Sequence, residues 1–367
     1  MSNSYRELIR DEVRELPFYV PGKPIEELRR ERGLTNVVKL ASNENSWGTD
    51  PAALDAIIKF LPDIFRYPDS KAYDLRLTIA ASLGLKTEQF VFGNGSEEII
   101  KLIALAFFRA GDEILMGKPT FPRYSSVSKM MGATPIELPC NNGYYPLERI
   151  LDCITIHTRA VFICNPNNPT GTVLEEEHLR EFVSRVPENV LLIFDEAYYE
   201  FMEIPFSGLL FLEEHPVIVL RTFSKAFGLA GLRIGFAISS PELIDGMERV
   251  REAFNVNALV QVAALAAWKN REYLQQIIAA NAVERRYLTN ELEGMGAKTF
   301  PSQTNFVMAF FPGMGTRLSE QLLDKGIIVR PGGGFGYPDG LRITVGTREE
   351  NSMLLTALRN IITNKVT

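Results

Sequence analysis

The sequence predicts an α/β fold in which helices cover a mainly parallel β-sheet, and three observations predict it. The chain has 367 residues, enough for one large α/β domain or for two domains that share a core. Hydrophobic residues make up 46% and charged residues 23%, as in a folded globular protein. Between about residues 88 and 240, short continuous apolar runs alternate with amphipathic segments, which is typical of strands buried between helices.

The elements of this first region follow from the two kinds of segment. The continuous apolar runs predict buried strands at 90–92, 113–116, 160–164, 190–194 and 217–220. Amphipathic segments at 97–109 and 176–186 predict helices on the faces of the sheet. Because parallel strands need crossover connections, this alternation favours successive βαβ units.

The pattern changes after Ser240. A stretch rich in Ala, Glu, Arg and Leu predicts one long helix over about 259–292, ended by Gly294 and Gly296. Strands within TNFVMAF, IIVRP and LRITVG, with helices near 316–325 and 348–362, then predict a smaller α+β unit. We therefore expect a large domain over 41–250 and a small domain that combines 1–40 with 251–367.

Charge and cysteine content argue against several classes of function. The net charge is −6 with acidic and basic residues interspersed, so the chain lacks the basic surface that binds nucleic acid. The N-terminal segment is charged throughout and no long apolar run occurs, so we expect no membrane segment. The three cysteines form no C-x-x-C pair and the three histidines lie apart, which favours a cytoplasmic protein without disulfides or a metal site.

Polar residues follow directly on three of the predicted strands. NPNNPTG follows AVFIC, DEAYY follows VLLIF, and RTFSK follows VIVL. In a parallel sheet these positions lie together at the carboxyl edge, where open α/β folds bind ligands. We expect the functional site at this edge.

Three common motifs that would explain such a site are incomplete. GNGSEE follows a predicted strand, but Glu98 occupies the position of the third glycine in a dinucleotide fingerprint. The segment from Gly111 to Lys118 has the wrong glycine spacing for a phosphate-binding loop, and Pro119 replaces its hydroxyl residue. No G-x-S-x-G elbow occurs, so an α/β-hydrolase is not supported.

A different chemistry accounts for the residues that are present. The amine of Lys225 can form a Schiff base with an aldehyde cofactor, and the carboxylate of Asp195 can keep a pyridinium nitrogen protonated. Asn168 and Tyr198 can donate hydrogen bonds to the ring oxygen of such a cofactor. A phosphate anchor needs amides at a helix start, hydroxyls and a guanidinium. These groups are expected from Ser96, Thr222, Ser224 and Arg233.

The segments at 165–171, 195–201 and 221–236 resemble, in order and spacing, motifs of the pyridoxal-phosphate aminotransferases with the aspartate-aminotransferase-like fold (PLP fold type I). The resemblance implies a large domain with a mainly parallel, seven-stranded type of sheet and a pyridoxal 5'-phosphate cofactor. It makes Lys225, Asp195 and Tyr198 the catalytic residues. The cofactor-binding residues that it implies also include Gly95, Ser96, Glu97, Phe121, Asn168, Thr222, Ser224 and Arg233.

Over its whole length the chain is similar to the histidinol-phosphate aminotransferases, as in FYVPGKPIEEL at 18–28, LASNEN at 40–45 and SQTNFV at 302–307. By that likeness Tyr67 reaches the cofactor phosphate of the partner subunit in a homodimer. The likeness also implies ping-pong amino transfer between glutamate or 2-oxoglutarate and imidazole acetol phosphate or histidinol phosphate. Glu97 stands where these enzymes more commonly have aspartate.

Two arginines are expected to select the substrate. Arg342 lies in LRITVG, where it alternates with apolar residues and so faces away from them. The resemblance assigns Arg342 to the substrate carboxylate or phosphate and Arg330 to the same phosphate. A planar guanidinium suits both anions through paired hydrogen bonds. The other expected substrate-binding residues are Tyr19, Asn43, Tyr124 and Asn257.

Three alternatives remain open from the sequence. An aminotransferase for phenylalanine and tyrosine, or one that serves both these and histidinol phosphate, would need the same arginine and aromatic pocket. A related decarboxylase of a phosphorylated amino acid would share the cofactor residues. A non-enzymatic ligand-sensing protein is disfavoured because Lys225 and Asp195 are both present.

Overall fold

Helices and strands alternate along most of the chain in the computed structural model, which describes residues 5–14, 16, 18 and 22–363. The strands are β1 (Val38–Leu40), β2 (Phe90–Gly93), β3 (Glu113–Lys118), β4 (Thr134–Pro139), β5 (Thr158–Cys164), β6 (Leu191–Asp195), β7 (Val217–Thr222), β8 (Gly235–Ser239), β9 (Lys298–Thr299), β10 (Phe306–Phe310), β11 (Ile327–Pro331) and β12 (Gly340–Thr344).

The helices are α1 (Asp11–Arg14), α2 (Ile25–Arg32), α3 (Pro51–Phe60), α4 (Tyr73–Leu83), α5 (Ser96–Phe107), α6 (Arg123–Met130), α7 (Leu147–Asp152), α8 (Glu176–Arg185), α9 (Pro241–Glu248), α10 (Ala258–Lys269), α11 (Arg271–Gly294), α12 (Gly315–Asp324) and α13 (Arg348–Thr363). Short 3₁₀ turns lie in several of the connections between elements, for example Tyr199–Phe201 after β6 and Gly332–Phe335 after β11.

Within the described residues the larger sheet has seven strands in the order β2-β8-β7-β6-β5-β3-β4. Strand β8 runs antiparallel to both of its neighbours, and the other neighbouring strands are parallel. Strands β5, β6 and β7 are buried along nearly their whole length because helices cover both faces. The mainly parallel sheet predicted from the sequence is confirmed, with β4 and β8 as strands that the apolar runs did not reveal.

The smaller sheet, as far as the structure describes it, has five strands in the order β1-β11-β12-β10-β9. Strand β1 from the N-terminal part of the chain pairs in parallel with β11, so that Val38 is the register partner of Ile327. Leu28 of α2 packs with Ile328 in a buried apolar cluster. The N-terminal segment is thus joined to the C-terminal part of the chain.

The long helix predicted over 259–292 is wrong in one respect, because the structure breaks it at Asn270 into α10 and α11. The side chain of Asn270 accepts a hydrogen bond from the Tyr273 amide, so it caps the start of α11. Its amide nitrogen also donates to Asp50, 3.0 Å away. An asparagine that satisfies a new helix start in this way competes with continuation of the helix. Helix α10 packs against α3, which follows Asp50.

Strand register brings the predicted functional segments to one edge of the larger sheet. Cys164, the last residue of β5, is the partner of Asp195, and Asp195 is the partner of Leu220 in β7. The three segments that follow these strands therefore emerge side by side. None of the helices in the described part of the chain is long and apolar enough to cross a membrane. Nor do the described histidine, cysteine and carboxylate side chains form a group of three that could bind a metal ion.

Candidate functional site

A cavity of about 230 Å³ opens at the carboxyl edge of the larger sheet, and residues from both sheets line it. The structure brings most of the residues predicted from the sequence together around this cavity. They are Asn43, Ser96, Glu97, Phe121, Asn168, Asp195, Tyr198, Thr222, Ser224, Lys225, Arg233, Arg330 and Arg342.

Lys225 lies in the loop after β7 and directs its amine into the cavity. Its Nζ donates a hydrogen bond to the carbonyl oxygen of Ser42, 3.2 Å away, and lies 5.7 Å from the ring centre of Tyr198. Burial, together with the nearby Arg342 guanidinium, lowers the pKa of Lys225 to about 8. The neutral, nucleophilic amine is therefore available near neutral pH.

Aromatic packing fixes the loop that carries this lysine. The rings of Phe223 and Phe227, two residues on either side of Lys225, are buried and lie 5.9 and 5.7 Å from the Trp268 ring of α10. Burying such a ring contributes roughly 1.5–3 kcal/mol, and each aromatic pair adds about 0.5–1.5 kcal/mol. The lysine is thus held between two anchors in the core.

Asp195 ends β6 with its carboxylate buried. Its Oδ2 accepts a hydrogen bond from the Tyr124 hydroxyl at 2.6 Å, and its Oδ1 accepts one from the Ala197 amide at 3.1 Å. Burial raises the pKa of Asp195, and the hydrogen bond from Tyr124 opposes that rise. A buried carboxylate whose pKa is raised holds a proton more readily, so it is suited to binding a protonated nitrogen.

Asn168 and Tyr198 follow neighbouring strands and face the same cavity. The Oδ1 atom of Asn168 accepts a hydrogen bond from Arg342 at 2.6 Å. The hydroxyl of Tyr198 accepts one from the side-chain amide of Asn43 at 2.8 Å. The cavity wall thus carries an amide and a phenol group, both of which can donate a hydrogen bond to an anionic oxygen.

One end of the cavity combines a helix start with hydroxyl and guanidinium groups. Ser96 is the first residue of α5, and Gly95 before it has a φ of +83°. A Cβ atom at Gly95 would lie 2.4 Å from the guanidinium of Arg233, so only glycine permits this close approach. The same guanidinium lies 3.5 Å from the Ser224 hydroxyl, and the Ser224 amide donates to Thr222. This arrangement can bind a phosphate.

Glu97, next to that helix start, forms an ion pair with Arg123 at 2.8 Å. The positive charge of Arg123, at the start of α6, therefore partly offsets the negative charge of Glu97. Phe121, which also lines the cavity, packs edge-on against Tyr124 with ring centres 5.7 Å apart. Tyr124 in turn donates a hydrogen bond to Asp195, so Phe121 and Asp195 contact the same tyrosine.

Two arginines from the smaller sheet also line the cavity. Arg330 of β11 and Arg342 of β12 are register partners on neighbouring antiparallel strands. Both lie near the ring of Phe335, at 5.8 and 5.4 Å from its centre. Two neighbouring guanidinium groups of this kind could bind one anion through paired hydrogen bonds.

Some predicted site residues do not line the cavity. Tyr124 is fully buried beneath Asp195 and stacks on Phe162, 4.3 Å away, so it does not face the substrate space. Asn257 caps the start of α10, where its side chain accepts from the Val260 amide. Tyr67 is 82% exposed and stacks on Phe254 at the surface. Tyr19 lies outside the described residues.

The cavity also has lining residues that the sequence analysis did not select: Gly22, Ala41, Ser42, Pro122, Cys164, Ala197 and Phe335. Several of them contribute backbone atoms. The carbonyl of Ala41 accepts a hydrogen bond from Arg342 at 2.8 Å, and the carbonyl of Ser42 accepts one from Lys225. Their side chains give no sequence signal, although Cys164, as the last residue of a predicted strand, could have been found by the same edge rule that selected Asp195.

Comparisons with known proteins agree with this geometry. Residues 35–358 match the family model for aminotransferase class I and II. The histidinol-phosphate aminotransferase of Moorella thermoacetica is 42% identical over 357 residues, which are 96% of this chain and 92% of that protein. The histidinol-phosphate aminotransferase from Sinorhizobium meliloti, solved in complex with pyridoxal-5'-phosphate, has a TM-score of 0.89 at 27% identity, covering 97% of this chain and 98% of that one.

The fold comparison extends beyond these enzymes. The aspartate aminotransferase from Thermus thermophilus, solved with maleate, has a TM-score of 0.82 at 25% identity and covers 93% of this chain and 97% of that one. The aspartate-aminotransferase-like fold expected from the sequence is confirmed. Histidinol-phosphate aminotransferases are among the relatives that match this chain over nearly the full length, and the chain belongs to the class I and II aminotransferases.

Proposed function

We propose that this protein is a pyridoxal-phosphate-dependent aminotransferase that exchanges an amino group between glutamate or 2-oxoglutarate and imidazole acetol phosphate or histidinol phosphate. The observation that carries the proposal is that the register partners Arg330 and Arg342 line the same cavity as the helix start with Ser96 and Arg233. A second group of cationic side chains is what a substrate with its own phosphate or carboxylate requires. The names of the relatives support the same substrate.

The residues present fit pyridoxal phosphate. The phosphate would be held by the α5 start at Ser96 with Thr222, Ser224 and Arg233, because only a glycine at position 95 lets the guanidinium approach that helix start. Asp195 would bind the ring nitrogen, and Asn168 and Tyr198 would bind the ring oxygen. Phe121 would cover one ring face. When bound, the cofactor supplies an electron sink for negative charge that forms on the α-carbon of the substrate.

Lys225 moves the proton in this mechanism. Its Nζ, with a pKa lowered to about 8, can accept the proton from the substrate α-carbon and return it to the cofactor side of the site. In the first stage glutamate leaves as 2-oxoglutarate. In the second stage imidazole acetol phosphate leaves as histidinol phosphate. Arg342 serves both stages because its guanidinium binds carboxylate and phosphate alike.

The substrate proposal is tested by the visible absorption of the cofactor-loaded protein. Histidinol phosphate should bleach the band at a concentration at least about 10-fold lower than phenylalanine does, because one additional charged hydrogen bond is worth that factor or more. Equal bleaching by both would replace the proposal with an enzyme that serves histidinol phosphate and aromatic amino acids. A protein with no band after addition of pyridoxal phosphate would overturn the aminotransferase proposal.

An Arg330→Gln variant sharpens this test. We expect it to raise the half-bleaching concentration of histidinol phosphate by roughly 10-fold or more, and to leave that of phenylalanine within a factor of about two. Lys298→Gln, which removes an exposed charge from the edge strand β9, is the matched control and should change neither value. Equal losses for both substrates in Arg330→Gln would argue against a phosphate-specific role.

We also propose that the functional unit is a cytoplasmic homodimer. The surface around Tyr67 supports this, since Ile64, Phe65 and Phe254 beside it are also largely exposed apolar residues. Exposed apolar patches of this kind mark protein interfaces. The three cysteines, all free thiols, fit a reducing compartment. The division into a large domain over 41–250 and a small domain of 1–40 with 251–367 is part of the same proposal.

Replacing Tyr67 by phenylalanine tests the contribution of the partner subunit. The ring stays and the dimer should persist by size-exclusion chromatography, but loss of a hydroxyl that binds a charged phosphate should raise the dissociation constant of pyridoxal phosphate by roughly 10-fold. Tyr73→Phe, at another exposed tyrosine nearby, is the control and should not change it. A monomeric protein, or unchanged cofactor affinity in Tyr67→Phe, would contradict the proposal.

A further inference from the structure

The side-chain amide of Asn43 and the hydroxyl of Tyr198 form a buried hydrogen bond at the wall of the cavity. Asn43 Nδ2 donates to Tyr198 Oη at 2.8 Å, and both side chains are almost completely buried. Asn43 was predicted from the sequence to contact substrate. The structure instead gives its amide a protein partner, and that partner is one of the proposed catalytic residues.

A neighbouring threonine fixes which way the Asn43 amide points. Thr344 Oγ1 accepts a hydrogen bond from the Asn43 backbone amide at 3.0 Å, so its own proton is free to be donated to Asn43 Oδ1, 3.3 Å away. With Oδ1 engaged as an acceptor, the other end of the amide is the NH₂ group, which can only donate. Tyr198 Oη must therefore accept from Asn43.

The backbone holds Asn43 in this place. Its φ of +56° is in the left-handed region, which asparagine tolerates better than most residues. The side chain of Asn305, just before β10, donates to the carbonyl oxygen of Asn43 at 3.0 Å. Two residues of the smaller sheet region, Thr344 and Asn305, thus set the position of an amide that contacts a residue following the larger sheet.

A phenol oxygen that already accepts a hydrogen bond has one proton of its own to donate. Because Asn43 occupies the acceptor side of Tyr198 Oη, the hydroxyl proton is directed away from it, toward the cavity that Tyr198 lines. Burial raises the pKa of Tyr198, while Arg342 and the Asn43 hydrogen bond lower it. The other ionisable groups near this hydroxyl are Lys225, Asp195 and Cys164.

We propose that Asn43 is a positioning residue that orients the Tyr198 hydroxyl so that it donates its proton to the ring oxygen of the bound cofactor. This inference rests on the proposed function. A hydrogen bond donated to that oxygen stabilises its anionic form, and so favours loss of the proton that the lysine-bound cofactor carries. Removing Asn43 lets the hydroxyl adopt other rotamers, which weakens this stabilisation.

The test measures the pH at which the visible absorption band of the cofactor-loaded protein is half converted. Asn43→Leu, of similar shape but without a donor, should raise this midpoint by about 0.5–1 pH unit, the size of one neutral hydrogen bond. Thr344→Val keeps a β-branched side chain in β12 but removes the hydroxyl that donates to Asn43 Oδ1. The Asn43 side-chain amide is then no longer oriented, and the midpoint should rise by a smaller amount. This second variant keeps the test decisive if Asn43→Leu fails to fold.

Two controls separate positioning from a general effect on the fold. Asn281→Leu replaces an equally buried asparagine, 1% exposed like Asn43, whose amide donates to the Thr304 carbonyl. It should lower the melting temperature without moving the midpoint. In a Tyr198→Phe background, Asn43→Leu should add no further shift, since the hydroxyl on which it acts is gone.

The outcomes are distinct. Cofactor-loaded Asn43→Leu and Thr344→Val with unshifted midpoints would overturn the inference, as would a shift that persists undiminished in the Tyr198→Phe background. Either result would leave the proposed aminotransferase function intact. A wild-type protein that gives no visible band with pyridoxal phosphate would overturn the proposed function, and this inference with it.

Discussion

Lys225→Ala should lower the rate of amino transfer by about 10⁴-fold or more, the upper end for a positioned proton-transfer group. The variant loses both the covalent attachment of the cofactor and the amine that moves the α-proton. No other lysine lines the described cavity, so no neighbouring amine can replace it. The measurement is single-turnover conversion of glutamate by cofactor-loaded protein, followed by its visible absorption.

The same lysine predicts a pH dependence. Burial lowers its pKa to about 8, and the neutral form is the nucleophile, so the rate at which apoprotein captures pyridoxal phosphate should rise as the pH passes through about 8.

Lys129→Ala, at an exposed position of α6, is the control for Lys225→Ala and should keep both the visible band and turnover. Turnover of Lys225→Ala at a normal rate would show that the central assignment is wrong.

Asp195→Asn should reduce kcat by roughly 10²–10³-fold, the usual cost of removing one preorganised electrostatic group from an active site. The amide has nearly the same shape but cannot supply the negative charge that keeps a ring nitrogen protonated. Because burial raises the pKa of Asp195, neutralising it should cost little stability. The amide oxygen can still accept from the Ala197 amide, and the NH₂ group can donate to the Tyr124 hydroxyl. The measurements are kcat and the melting temperature.

Glu196→Gln provides the matched control, since Glu196 is the adjacent carboxylate and is equally buried. It forms an ion pair with Arg221 at 2.8 Å and accepts hydrogen bonds from Ser207 and the Gly208 amide. Replacing the Glu196 carboxylate with an amide leaves the buried positive charge of Arg221 without its counter-charge. This variant should therefore lose several degrees of melting temperature and keep most of its rate. The reverse pattern, with Asp195→Asn active and unstable, would contradict the role proposed for Asp195.

The parts of the site that could be predicted from the sequence are those governed by the ends of parallel strands. Asn168, Asp195 and Lys225 each lie shortly after or at the end of a continuous apolar run, and register alone brings such residues together. The aromatic residues around them were harder to place. Tyr124 looked like a pocket residue, but its position on the first turns of α6 directs its ring onto Phe162 and its hydroxyl to Asp195.

Other features depended on contacts between distant segments. Ala41 and Ser42 contribute carbonyl oxygens, which every residue possesses, so no side-chain pattern marks them. Asn257 was predicted to bind substrate, but the structure shows that it caps the start of α10. An asparagine directly before an apolar helical segment is typical of a helix cap, so the local sequence predicts this role better. The break at Asn270 likewise depends on Asp50, a residue far away in sequence that helps to hold the asparagine side chain.

The pairing of β1 with β11 has a consequence for synthesis of the chain on the ribosome. The strands of the larger sheet all lie before Pro241, so that sheet can form while the C-terminal part is still being translated. The segment with Ala41, Ser42 and Asn43, by contrast, follows a strand whose partner is Ile327–Pro331. The part of the cavity wall that these three residues form cannot reach its final structure until nearly the whole chain has left the ribosome. A nascent chain therefore carries Lys225 while about a hundred further residues are translated, before it has either Arg330 or Arg342.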